Sequence, residues 1–178
     1  MAPSWAWVIA AVALVLLYLR SVAGRLDRLH VRLEAAESAL DAQLVRRAAA
    51  AGEVAHSGLV DPATAVLLAD AAHAAQTARR DDPVAREASE SALSFALRAA
   101  LDDAEVGELA RSAVGRHLLD EVRTAGTRVV LARRFHNDAV RATLRLRRRR
   151  LVRWFRLAGT ASWPRAFEFD DAPPAALA

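Results

Sequence analysis

Eight arginines fall between Arg141 and Arg156, namely Arg141, Arg145, Arg147, Arg148, Arg149, Arg150, Arg153 and Arg156, with Trp154 and Phe155 among them and no acid between Ala139 and Phe167. A guanidinium is a planar fork of donors that stays charged and grips phosphate or carboxylate bidentately. Three kinds of partner suit such a block. Nucleic acid would offer phosphates to the arginines and bases to stack on Trp154 and Phe155. An anionic membrane surface would attract each basic residue by about 1 kcal/mol. An acidic protein surface could use the same charges. The choice depends on where the rest of the chain puts the block.

Other chemistry is sparsely provided for. The five histidines, His30, His56, His73, His117 and His136, show no i,i+4 pairing, and only Glu53-x-x-His56 has the Glu-x-x-His spacing of which a helical-bundle metal site requires two. There is no cysteine, hence no thiolate ligand or nucleophile. The seven glycines are scattered and build neither a nucleophile elbow nor a phosphate loop. No cofactor, metal or catalytic residue is therefore expected. Two arginine pairs, Arg46-Arg47 and Arg133-Arg134, read as solvated faces whose stems cover apolar surface. If their helices lie side by side, they could instead pair with Asp41, Glu121 or Asp138 or form one basic patch, with Asn137 and Asp138 as interhelical polar contacts fixing register.

The elements that must position these groups are helical. The chain is 54% hydrophobic but only 6% aromatic, with alanine and leucine dominant and few glycines or prolines, which is a helix-former's composition. Its 178 residues suffice for one core beside an apolar segment. That segment, Trp5–Leu19, carries no charge, and with its uncharged flank it approaches the roughly 20 residues that cross a bilayer. Trp5, Trp7 and Tyr18 lie toward its ends, as interfacial aromatics do. A cleaved signal peptide, with Ser21-Val22-Ala23 as the small-residue site, is the rival reading.

After this anchor (1–23), the spacing predicts a helical domain over 24–160 and an irregular, disordered tail over 161–178. Leu26, Leu29, Leu33, Ala36, Leu40 and Leu44 make one apolar stripe on a first helix running to about Ala51. Asp61-Pro62 and Asp82-Pro83 each start a helix, the aspartate capping free amides and the proline filling the first turn. These two helices extend to about Arg80 and to the Asp102-Asp103 break. A fourth begins near Ala104 and continues to about Leu144; Gly107, Gly115 and Gly126 weaken it, and it is either continuous or divided near Gly126.

The fold class expected is therefore all-α, an antiparallel bundle of about four long helices after a transmembrane helix. Arg20, Arg25, Arg28 and Arg32 follow the apolar run and no basic side chain precedes it, so the N-terminus lies outside and the domain in the cytoplasm. If helices alternate in direction, the arginine block returns to the bilayer. Its partner is then the anionic cytoplasmic leaflet, with another protein or, as the alternative, RNA or DNA in its place.

Two segments carry a resemblance. AESALDAQLVRR at Ala36–Arg47 and LARRFHNDAV at Leu131–Val140, with the apolar start and the FRLAG…AFEFDD ending, are similar to the LemA family of bacterial membrane proteins. The matching positions are Leu40, Gln43, Leu44, Arg46, Arg47, Arg133, Arg134, Asn137 and Val140. The resemblance implies a plasma-membrane protein with its short N-terminal end outside and a cytoplasmic bundle of long helices, acting as a scaffold or interaction module without catalysis. The chain departs from the family at His136, at Thr143-Leu144 and at Arg149-Arg150, where aromatic or Phe-Pro pairs usually stand.

Overall fold

The computed structural model describes residues 4–149, 154 and 163–177. Among them are five α-helices, one 3₁₀ turn and no strand: α1 (Ser4–His56), α2 (Pro62–Thr77), α3 (Pro83–Ala100), α4 (Asp103–Leu109), α5 (Ala113–Arg147) and η1 (Ala175–Leu177). The chain divides into two compact units, Met1–Ala36 with Asn137–Ala166, and Glu37–His136 with Phe167–Ala178.

The helix boundaries follow local chemistry. The α1 helix runs one turn beyond the expected end, because Ser57 closes it by donating from Oγ to the Val54 carbonyl at 2.7 Å. Gly58 then turns the chain at φ 71°, a left-handed conformation that costs glycine little. Asp61 caps α2 by accepting from the amides of Ala63 and Thr64 at 3.0 and 3.2 Å. This local bonding holds its carboxyl below the usual range. Asp82 caps α3 through the Ala85 amide at 3.0 Å, and Asp102 caps α4 through the Glu105 amide at 2.8 Å. The α2 helix stops at Thr77, three residues before the expected Arg80, so that Arg79 turns onto Asp81 in the connection to α3.

The anticipated fourth helix is two helices, but the break is not at Gly126. It falls at 110–112, where Ser112 restarts α5 by accepting from the Gly115 amide at 2.8 Å. Gly115 allows the corner: a Cβ there would lie 2.0 Å from the Leu109 carbonyl oxygen. At Gly126 a Cβ would meet nothing within 4 Å, so that glycine costs helix propensity without serving a close contact. The two glycines should respond oppositely to substitution. Gly126→Ala is expected to stabilise the fold by about 0.5–1 kcal/mol, whereas Gly115→Ala is expected to destabilise it by about 1–3 kcal/mol through overpacking. Denaturant unfolding of the two variants in neutral detergent checks the pair, and equal signs would refute the assignment of the corner.

In the second unit the core is built of small and aliphatic side chains. Ala48, Ala51 and Val54 of α1 pack with Leu68 and Ala72 of α2, Leu93 and Leu97 of α3, Leu109 of α4, and Leu119 and Val122 of α5. Each fully buried leucine or valine contributes on the order of 1.5–3 kcal/mol. In the first unit, Val22 and Leu26 of α1 pack with Leu146 of α5. The apolar N-terminal stretch behaves differently: Trp7, Leu14 and Leu17 are 71, 70 and 65% exposed. By length and composition this helix is apolar enough to cross a membrane.

The described part of the tail, 163–177, forms no α-helix or strand and ends in η1. Phe167 and Leu177 are buried, and Phe167 joins Leu40, Leu44, Val129 and Ala132 in one cluster. Two alternating aromatics in this short stretch supply enough apolar area to anchor it.

Candidate functional site

The arginine block is reached along α5, whose buried face steps through Leu118, Val122, Ala125, Val129, Ala132, His136, Val140, Thr143 and Arg147 at three- and four-residue intervals. The last step overturns one expectation. Arg147 is 6% exposed, with its guanidinium 4.7 Å from the Trp163 ring centroid, so it serves packing and is not part of a surface contact. The periodicity that marks the core residues would have found it. Arg145, Arg148 and Arg149 are exposed, and Arg141, also exposed, pairs with Asp138 one turn away. Trp154 is 86% exposed. Arg150, Arg153, Phe155 and Arg156 lie outside the described residues.

Beside this end of α5 stands the stretch of α1 just past its apolar run. Arg25, Leu29, Ala142, Arg145, Leu146 and Arg149 line one cleft of about 190 Å³. Three arginines and no acidic residue thus line the cleft. The side chains of those three arginines make no hydrogen bond or ion pair among the described residues.

The second unit holds a different arginine chemistry, built on the family-like segments. Of Arg46-Arg47, only Arg47 is buried, at 5% exposure. It donates to Ser94 Oγ at 2.9 Å, to the Glu90 carbonyl at 2.9 Å and to Glu90 Oε2 at 2.6 Å. Of Arg133-Arg134, Arg133 is partly covered and pairs with Glu168 at 2.9 Å and Asp171 at 2.6 Å, while Arg134 is exposed. The predicted partners are therefore replaced. Asp41 pairs with Arg80 and Arg86, Asp138 with Arg141, and Arg46 shares only a shallow cleft with Gln43 and Glu121. Leu40, Leu44 and Val140 are buried in the core, and Asn137 is buried while Asp138 is not.

What joins the two segments is the tail, which sequence reasoning left as disordered. The Phe169 ring lies 5.0 Å from the Arg47 guanidinium and 5.7 Å from that of Arg133, and Phe167 lies 5.6 Å from Arg86. The two rings meet at 5.5 Å, tilted by 56°. Backbone amides of Glu168 and Asp170 donate to Glu87 and Ser91, and Arg98 binds Asp170 and the Ala172 carbonyl. Glu87, Ser91, Ser94 and Arg98 recur at helical spacing on α3, so the strap runs along one polar stripe. That stripe was the available signal for Glu90 and its neighbours. Beneath the strap, Leu97, Val122, Val130, Pro173, Pro174 and Leu177 help to line a mainly apolar cleft of about 450 Å³.

Burial raises the carboxyl pKa of Glu90 above its usual 4.5, with Arg47 opposing the shift by its charge and hydrogen bond. The folded state then holds this proton more tightly than the unfolded state. The contribution to stability is complete below about pH 4.5 and is lost as pH rises through the raised value. Relative to Glu90→Gln, the native chain should lose stability as pH rises from about 4 to about 8. Unfolding free energies across that range check the sign, and a relative gain would refute it.

The arrangement is suited to holding anions at the first unit and to fixing its own helices at the second. Among the described residues no group of three His, Asp or Glu side chains could hold a metal ion. Comparison with protein-family models, with characterised proteins and with solved structures finds no match to the chain.

Proposed function

We propose that this chain is a single-span membrane protein of LemA-like character, whose cytoplasmic helices form an antiparallel bundle that acts as a non-catalytic scaffold. In this reading the C-terminal end of α5 is a second contact with the anionic leaflet. The observation that carries it is the packing of Leu146 on Val22 and Leu26. Val22 and Leu26 follow the apolar run by three and seven residues, about 5–10 Å along a helix axis. That distance is comparable to the Debye length of about 8 Å, so Arg145, Arg148 and Arg149 act within the field of anionic headgroups. The N-terminus outside and the remainder in the cytoplasm follow from the arginines after the run. The LemA-like motif residues support the scaffold reading in a structural capacity, because Arg47 and Arg133 meet on Phe169.

The chain has no cysteine, so a single Arg148→Cys variant of the full chain takes a nitroxide label cleanly. In phosphatidylglycerol-containing vesicles the label should be relaxed strongly by a headgroup-bound nickel chelate, and less so in phosphatidylcholine alone. Equal, water-like exposure in both bilayers would sink the lipid contact. In that event, nucleic-acid binding with a steep salt dependence would favour the polyanion alternative.

A further inference from the structure

We infer that Arg25, Arg145 and Arg149 form a discrete site for a phosphate group, rather than merely adding to a diffuse basic surface. The inference rests on the membrane-contact reading above and deepens it by naming the chemistry recognised. Arg145 lies in the last turn of α5, Arg149 two residues past its end, and Arg25 on α1, so three arginines from two parts of the chain line a single cleft. A cleft lined by charges of one sign, here positive, favours an anionic occupant. Other arginines nearby are relieved, Arg141 by Asp138 and Arg147 by the Trp163 ring, whereas these three have no such relief among the described residues. The C-terminus of α5 offers only about half a negative charge. Three guanidiniums outweigh it, and a phosphate oxygen set matches their forked donors.

The shape of the cleft narrows the ligand further. Its volume of about 190 Å³ is below the roughly 300–1,000 Å³ of sites for drug-sized molecules. It suits a phosphate and the small group it esterifies. Leu29, Ala142 and Leu146 give the same cleft an apolar wall. A glycerophosphate headgroup would use both surfaces, and free phosphate would use only the arginines.

The test uses the full chain in micelles of an uncharged detergent, where no anionic surface contributes. Dioctanoyl phosphatidic acid and inorganic phosphate are titrated separately and binding is read by calorimetry. Dioctanoyl phosphatidic acid should bind, and Arg25→Gln, Arg145→Gln and Arg149→Gln should each weaken it about tenfold or more. Arg148→Gln, which removes the same charge outside the cleft, should have a much smaller effect. Far-UV circular dichroism confirms that each variant keeps its helices. If inorganic phosphate binds as tightly as the lipid, the same site is assigned to a free phosphate source. If neither probe binds, or if Arg148→Gln weakens binding as much as the lining variants, the discrete site is overturned. The nickel-relaxation contrast at position 148 reports separately on the membrane contact, which can survive as diffuse attraction when the site fails.

Discussion

Arg47→Ala is expected to destabilise the fold by about 3–5 kcal/mol, because it leaves Glu90 buried without its cation. Glu90 is 1% exposed, and the substitution also removes the donors to Ser94 Oγ and to the Glu90 carbonyl. The loss should shrink at low pH, since a protonated Glu90 carries no uncompensated charge. Replacing both partners by apolar residues, Arg47→Met with Glu90→Leu, should recover most of it, as buried ion pairs exchanged for packed apolar groups are often neutral. Urea unfolding of the single and double variants in neutral detergent gives the coupling directly. A single variant as stable as the native chain would mean that the pair is not enclosed.

Truncation after Ala166 is expected to cost as much or more. It removes the buried Phe167, for which substitution by alanine typically costs about 3–5 kcal/mol. It also removes the ring over Arg47 and Arg133, and the carboxylates of Glu168, Asp170 and Asp171 that answer Arg133 and Arg98. Phe167→Ala alone should account for the larger part, since ion pairs at the surface contribute about 1 kcal/mol or less. The check is a shift in denaturation midpoint together with faster hydrogen exchange along α3. A truncated chain of unchanged stability would show the strap to be dispensable.

How legible each feature was depends on the range of the interaction that fixes it. Asp61-Pro62 and Asp82-Pro83 could be placed as helix starts because a cap is satisfied within three residues. The apolar stripe through Leu26, Leu40 and Leu44 was legible because helical period is local. A division of the fourth helix was one of two open readings, and it falls elsewhere. Gly126 looked like a weak point by propensity, yet the corner formed at Gly115, where a carbonyl six residues earlier in sequence needed the space. Arg147 was grouped with its charged neighbours although its position in the α5 period puts it on the buried face.

The sequence by itself determined what short-range chemistry determines: helices and their caps, an uncharged N-terminal run, and an acid-free arginine block at the other end of the chain. The tertiary structure decided which arginine of each pair is buried, which acid answers it, and which arginines converge with no partner among the described residues. Arg47 finds Glu90 across 43 positions, and Arg133 finds Asp171 across 38. Composition cannot choose among 21 acids for each such contact. The choice is made by packing, because a guanidinium taken out of water must end beside whatever carboxylate the core brings within reach.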